Sequence, residues 1–252
     1  RVKSTGISSV ASMVIVNFHV ECEVDGVAVY DLETVFGFFP QSALENQVGL
    51  PTTDAQRALL EIPATNTVDL TLPTQTDASS LRLAEPMLLM IDRVSHFDPS
   101  GGPAGLGAAR AEKDVNPGEW FFKAHFFQDP VQPGSLGIEA MIQLLQFAML
   151  DRAMGTPGGR FEPIALGRAL TWKYRGQVVP TNKLISSTLE ITEVRREEGE
   201  VLVLAKASLW VDGKRIYEAS NLGMRIVSGG TPGPRVRTLD PATDTGLLDH
   251  CP

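Results

Sequence analysis

The sequence predicts an α+β fold in which one long, buried helix lies among antiparallel strands. Residues 136–150 are apolar on nearly every side of a helix, which is typical of a buried helix rather than of a surface helix. Polar and apolar side chains alternate in other segments, such as 184–191, and this period-2 pattern predicts strands. One helix embedded among such strands indicates the α+β class.

The start of the helix is predicted from three consecutive residues. Pro133 and Gly134 are unfavourable inside a helix, whereas Ser135 is a good N-cap. We therefore expect the helix to begin at about Leu136.

The helix carries one stripe of polar side chains, formed by Glu139, Gln143 and Gln146. Spacings of four and three residues place them on the same side of a helix. If other structure wraps the helix, Glu139 lies in a desolvated place where an ionised carboxylate is costly. Such an acid can stay protonated near neutral pH and donate its proton. The alternative is a structural glutamate bound to a backbone amide or an arginine.

A single histidine, His125, precedes this helix in an aromatic run and is followed by the turn Pro-Val-Gln-Pro-Gly. A lone histidine in an apolar stretch is more often a packed core residue than a catalyst. The stiff turn and the acid on the next helix favour a catalytic role here, because together they supply a base and an acid close in sequence.

The segment His-Phe-x-x-Asp-Pro-Val-x-Pro-Gly-x-Leu-Gly from His125, followed by an acid and Ala-Met-x-Gln, resembles the hotdog-fold dehydratases of 3-hydroxyacyl chains on acyl carrier protein. It is most similar to the β-hydroxydecanoyl type in the dehydratase domains of polyunsaturated fatty acid synthases. Further matching segments, Gly-Arg-Ala-Leu from Gly167 and Tyr-Arg-Gly-Gln from Tyr174 among them, extend the resemblance over about residues 86–227. It implies a hotdog fold, a long central helix wrapped by an antiparallel sheet. The β-hydroxydecanoyl type has Asp at the position of Glu139, a difference that weakens any inference that this chain also isomerises the double bond.

The resemblance implies a role for each residue of the motif. His125 is the base that removes the C2 proton, Glu139 is the candidate acid that protonates the departing hydroxyl, and the Gly134 amide stabilises the thioester oxyanion. The implied positioning residues are Val131, whose carbonyl holds the other ring nitrogen of His125, and Pro133 and Gln143. The reaction needs no metal or redox cofactor if a base and an acid flank the substrate. The resemblance also implies that the substrate is carried on the phosphopantetheine of an acyl carrier protein.

In this family the histidine of one hotdog generally meets the acid on the helix of its neighbour. In a fused pair, His125 faces an acid on a first unit, outside this chain, and Glu139 is then structural. In a dimer of second units, His125 and Glu139 meet reciprocally between chains. The sequence leaves both arrangements open.

The chain is organised around an internal repeat. Strands are predicted on both sides of Asp25-Gly26 and again on both sides of Asp212-Gly213, and a tyrosine follows each turn at the same offset. We expect a double hotdog with the first unit truncated: residues 1–45 are closing strands of that unit, 46–84 a linker, 85–228 a complete catalytic hotdog, and 229–252 a flexible tail. The strands of the second unit are predicted at about 87–96, 105–115, 163–175, 183–194, 200–211 and 214–227.

Composition limits the classes of partner. The formal net charge of −8 makes nucleic acid an unsuitable partner. The net charge of residues 82–183 is close to zero, and an acidic carrier protein would be attracted to them rather than to the acidic remainder of the chain.

The two cysteines, Cys22 and Cys251, fit neither a disulfide framework nor a metal site, and they suit a reducing compartment. No apolar run is long enough to cross a membrane, and residues 1–4 lack the features of a signal peptide, so we expect a cytoplasmic protein.

The expected activity is dehydration of (3R)-3-hydroxyacyl thioesters within a multidomain fatty acid or polyketide synthase. Two alternatives remain from the sequence. One is a non-catalytic hotdog that docks carrier domains, and the other is a hotdog thioesterase, which shares the fold and a helix acid. The turn that follows His125 argues against the thioesterase.

Overall fold

A computed structural model describes residues 1–10, 13–40, 47–72, 81–126, 128–155, 158–163, 165 and 167–228. The chain divides into two compact units, Arg1–Leu50 and Pro51–Pro252. The predicted tail, 229–252, lies outside the described residues, as do His250 and Cys251.

Unit 1 is a three-stranded antiparallel sheet in the order β1-β2-β3, with β1 at Val2–Val10, β2 at Met13–Val24 and β3 at Val27–Phe38. The turn between β2 and β3 uses Asp25 and Gly26, both with positive φ, as a tight hairpin requires. The sequence did not predict β1, because its serines, its threonine and Gly6 give it a weak strand signal.

Unit 2 contains an eight-stranded sheet in the order β4-β5-β6-β9-β10-β11-β7, with β8 paired to β11. The strand pairings of this sheet are antiparallel. The strands are β4 Val68–Asp69, β5 Arg93–Asp98, β6 Ala108–Asp114, β7 Arg160–Glu162, β8 Thr171–Tyr174, β9 Leu184–Glu197, β10 Glu200–Val211 and β11 Lys214–Val227.

Three α-helices accompany these strands in the described part of unit 2: α1 Asp54–Glu61, α2 Trp120–Ala124 and α3 Gly134–Asp151. The long helix, α3, contacts β6, β9, β10 and β11, and nine of its residues are buried, including Met141, Leu144 and Leu145. These side chains share one hydrophobic core with the alternate residues of β10 and β11. The predicted α+β class and the wrapping of the central helix by an antiparallel sheet are therefore confirmed.

The predicted start of the central helix was wrong by two residues. The helix begins at Gly134 with Pro133 as its N-cap, and no side chain caps it. Proline fits there because its φ of −51° and ψ of 132° are ordinary for an extended residue, and the N-cap needs no backbone N–H. Ser135 lies in the first turn, where it is exposed and does not cap the helix.

Other predicted elements differ in detail. The segment 46–84 contains α1, which begins with a capping box from Thr53, and β4, which pairs with β5. Of the strand predicted at 163–175, the described residues form only β8 at Thr171–Tyr174; β7 precedes it at Arg160–Glu162, and the two pair with different parts of β11. The strand predicted at 87–96 begins only at Arg93, because Pro86 starts a turn of 3-10 helix.

Candidate active site

His125 directly follows α2, and its ring is fixed by a hydrogen bond. Nδ1 lies 2.9 Å from the carbonyl oxygen of Val131, a buried residue in the turn that leads to α3. A carbonyl can only accept, so Nδ1 carries the proton that is donated. In the neutral ring, Nε2 then keeps its lone pair and is the atom able to act as a base.

The loop that follows His125 has a strained backbone. Phe126 and Gln128 have φ values of 60° and 62°, a left-handed conformation that is uncommon outside glycine and is costly for a bulky residue. The Phe126 ring lies against the histidine ring, with 4.0 Å between centroids, while most of its surface is exposed. Surrounding contacts must hold this conformation, which is a feature common to functional loops.

Helix α2, which carries this loop, is attached to the sheet at its first turn. The indole nitrogen of Trp120 donates to the carbonyl of Met87 at 3.0 Å. Lys113 on β6 forms ion pairs of 3.1 Å with both Asp92 and Glu119, the N-cap residue of α2. Burial alone would lower the pKa of Lys113, but the two carboxylates outweigh it and raise the pKa above its ordinary value.

Glu139 is oriented by Gln143, one helical turn further along α3. The buried Gln143 amide donates to the Leu88 carbonyl at 2.8 Å and accepts from the Met90 N–H at 2.7 Å. Its Nε2 also donates to the Glu139 carboxylate at 2.9 Å. Both amide protons and the amide oxygen are therefore used, so Gln143 holds the carboxylate in one direction.

The Glu139 side chain lines a surface cavity of about 450 Å³. Glu139 and Gln146 line it with residues from two other segments: Leu81, Arg82, Leu83, Ala84, Glu85, Gly159, Arg160 and Phe161. Glu139 is half-buried, so the expectation of a helix wrapped on all sides is wrong on this side. His125 does not line the cavity, and no hydrogen bond among the described residues joins it to Glu139.

The Gly134 amide lies at the N-terminus of α3, where helix N–H groups have no acceptor within the helix. A side chain at this position would lie only 2.9 Å from Trp172 Cη2 and 3.1 Å from Tyr174 Cε2. Glycine therefore allows two aromatic rings of β8 to approach the helix.

Three residues near this helix terminus were not predicted from the sequence. Tyr217 is fully buried, and its pKa, like that of Tyr174, is raised because burial disfavours the ionised phenol. The two tyrosines are paired on neighbouring strands, a relation that sequence patterns do not show. Gln132 is buried, and its side-chain oxygen has no hydrogen-bond partner among the described residues. The position of Gln132 between Val131 and Pro133, inside the motif, is the sequence feature that could have identified it.

One group in the described part of the chain could hold a metal ion: His19, Glu21 and Asp31 of unit 1. The His19 ring already lies 2.7 Å from the Asp31 carboxylate, and Glu21 lies beside Arg1 at 3.6 Å. Surface ion pairs account for these contacts. None of the three belongs to the motif around His125.

Comparison with known proteins gives one family. Residues 83–220 match the FabA-like domain. The chain is also 34% identical, over 243 residues, to a subunit of the polyunsaturated fatty acid synthase from Thraustochytrium sp.. That match covers 90% of this chain but only 16% of the synthase polypeptide. The chain therefore spans about a sixth of the length of this relative.

Solved structures give weaker similarities. The dehydratase heterocomplex ApeI:P from Xenorhabdus doucetiae has a TM-score of 0.37 at 12% identity, covering 59% of this chain and 88% of that chain. A thioesterase described as putative, from Novosphingobium aromaticivorans, has a TM-score of 0.40 at 14% identity, covering 91% and 72%. At such scores neither similarity distinguishes a dehydratase from a thioesterase.

Proposed function

Because the chain belongs to the FabA-like domain family, we propose that it dehydrates 3-hydroxyacyl thioesters to trans-2-enoyl thioesters. The reaction breaks the C2–H and C3–O bonds, forms the C2=C3 double bond and releases water. It requires a base at C2, an acid at the departing hydroxyl, and a donor to the thioester oxygen while negative charge develops there.

The hydrogen bond from His125 to Val131 carries the proposal. It assigns the proton to Nδ1, so that Nε2 is free to remove the C2 proton. The Gly134 amide at the start of α3 then serves as the donor to the thioester oxygen. The turn that contains Val131 and Pro133 connects the histidine to this amide.

Glu139 supplies the acid, and Gln143 positions it. Because Glu139 faces a surface cavity that His125 does not line, we propose that the base and the acid meet between two hotdog units. In a dimer of this chain, Glu139 of one copy then serves His125 of the other, and the arrangement is reciprocal.

The substrate is proposed to arrive on the phosphopantetheine of an acyl carrier protein, within a larger synthase in the cytoplasm. Support comes from the similarity to part of a polyunsaturated fatty acid synthase. Attraction of an acidic carrier to the nearly neutral stretch 82–183 supports the same partner.

A turnover assay tests the proposal. The purified chain is expected to interconvert 3-hydroxyacyl and trans-2-enoyl thioesters, observed by the absorbance of the conjugated enoyl group and by mass spectrometry. His125→Ala is expected to lower the rate by at least about a hundredfold, the usual contribution of a general base.

His19→Ala is the matched control, because this half-buried histidine lies in unit 1, outside the proposed site, and the rate should not change. Full activity in His125→Ala would reject the assignment of the base. Release of free thiol without an enoyl product would show a thioesterase instead.

A further inference from the structure

The sheet of unit 1 repeats the sheet of β9, β10 and β11 strand by strand. Pairing starts with Val10 opposite Met13 in unit 1 and with Glu197 opposite Glu200 in unit 2. The hairpin turns also match, since Asp25 and Asp212 have φ values of 52° and 49° and each is followed by a glycine of positive φ. Both sheets are therefore built on the same template.

Irregularities in the pairing are repeated as well. The first strand of each set bulges at a threonine, Thr5 in β1 and Thr192 in β9. The register between the second and third strands shifts after Cys22 in one set and after Leu209 in the other. Unit 2 has one further shift, near the middle of β10, that unit 1 lacks. Bulges set the local twist of a sheet, so the shared positions indicate a similar curvature.

The face of this template that packs on α3 in unit 2 is apolar in unit 1 too. In β10 that face consists of Val203, Ala205, Ala207, Leu209 and Val211. The aligned residues of β2 are Val16, Phe18, Val20, Cys22 and Val24. An apolar face of this kind requires a cover, because a sheet with one buried face is stable only when that face is packed.

In unit 1 the part of this face on β3 is exposed, whereas its β2 residues up to Val20 are half-buried. Tyr30 occupies the position of Tyr217 and is 55% exposed, whereas Tyr217 is 0% exposed. Phe36 and Phe38 are similarly exposed, while Met224 and Ile226 at the matching places are buried. Contiguous exposed aromatic and aliphatic side chains of this extent mark an interaction surface.

The helix that covers the unit 2 face meets Tyr217 with a glycine. A side chain at Gly137 would overlap the Tyr217 ring, so this close approach needs a residue without a Cβ. The shared geometry of the pairing places Tyr30 at the same position on its sheet.

We propose that the apolar face of unit 1 binds an apolar α-helix of the kind and length of α3, with a glycine lying over Tyr30. The α3 of this chain is already packed in its own core, and no other described helix exceeds eight residues. We assign this helix to a partner polypeptide, because no described helix is available to cover the face. The length of the similar synthase polypeptide beyond the matched part leaves ample room for such a segment.

Cys22 gives a direct readout of this contact. It is an exposed free thiol on the proposed face, at the place of the fully buried Leu209. In Cys251→Ser it is the only thiol of the chain. In this variant the probe is a second copy of residues 134–151, fused ahead of Arg1 through a flexible linker of about 30 residues. Labelling of Cys22 by a small thiol reagent is expected to slow by at least about tenfold in the fusion, since reaction then requires the helix to open.

The matched control is the same fusion with Gly137→Leu in the added copy alone. Its labelling rate should stay within about twofold of the unfused chain, because the leucine cannot approach Tyr30. Unchanged labelling in the glycine fusion would overturn the proposal, and so would equal protection by both fusions, which would show non-specific collapse. If the fusions aggregate, the helix is added as a separate peptide with lysines at both ends, and absence of glycine-dependent protection there would also overturn it.

Discussion

At the scale of single residues, two side-chain contacts define the proposed chemistry. The His125 bond to the Val131 carbonyl selects the ring nitrogen that acts as base. The Gln143 bond selects the direction of the Glu139 carboxylate. The motif suggested all four residues from the sequence. It could not show that Gln143 also bonds to the backbone of Leu88 and Met90, because that contact joins segments far apart in the chain.

The aromatic residues that pack against the start of α3 from β8 and β11 were not predicted, for the same reason. Tyr217 contacts Gly137, and Trp172 contacts Gly134, only because β8 and β11 pair beside the helix. Neither glycine is explained by a turn. Their role follows from tertiary packing, which local sequence patterns do not encode.

Gly137→Ala tests this packing. Helix propensity alone predicts that alanine stabilises the helix by about 1 kcal/mol. The structure predicts the opposite sign, a loss of about 1–3 kcal/mol in the free energy of unfolding, because the methyl group overlaps the buried Tyr217 ring. Urea denaturation measures the difference, with Ser135→Ala, in the same turn but outside the core, as control. A stabilised Gly137→Ala variant would contradict the described contact.

At the scale of elements, long periodic segments were predicted well and short ones poorly. The central helix and the strands from β9 to β11 follow from apolar periodicity over many residues. Strand β1 was missed because serine and glycine weaken its pattern. Helix α1 was read as linker because its eight residues contain little apolar surface and none is buried.

The turn between β10 and β11 gives a pH-dependent element. The Asp212 carboxylate accepts hydrogen bonds of 2.9 Å from the N–H groups of Lys183 and Leu184 and from the Asn182 amide. Burial would raise the pKa of Asp212, but these bonds outweigh it and hold the pKa below its ordinary value of 3.8. The ionised form therefore stabilises the fold above that value, and the contribution is lost as the pH falls through the lower folded pKa.

Asp212→Asn should accordingly lower the free energy of unfolding at neutral pH by about 1–2 kcal/mol. The difference in the free energy of unfolding between this variant and the wild type should narrow as the pH falls below 3.8. Urea titrations from neutral pH to the lowest pH at which the chain stays folded measure this gap. Asp25→Asn at the aligned turn is the control, because no described residue donates a hydrogen bond to that carboxylate. A gap that stays constant with pH would show that charge is not the cause.

At the scale of the whole molecule, the described residues contain a sheet packed on its helix in unit 2 and a sheet of the same template in unit 1, where no helix is described. The sequence suggested this repeat from two Val-Asp-Gly turns. The matched bulges, which show that the template continues across all three strands, required the backbone. No described helix is long and apolar enough to cross a membrane.

The separation of His125 from the cavity of Glu139 also belongs to this scale. The sequence left open whether the two residues act together, because the answer depends on how units assemble. The proposed reciprocal dimer requires that each catalytic centre take its histidine from one copy and its carboxyl group from the other.

Complementation between two inactive variants tests this claim most directly. His125→Ala and Glu139→Gln are each expected to be inactive alone, but an equimolar mixture that is refolded together should regain about one quarter of the wild-type dehydration rate. That fraction follows because half of the dimers are mixed and each mixed dimer contains one intact site of two. A mixture no more active than the separate variants, or a fully active Glu139→Gln, would contradict the account.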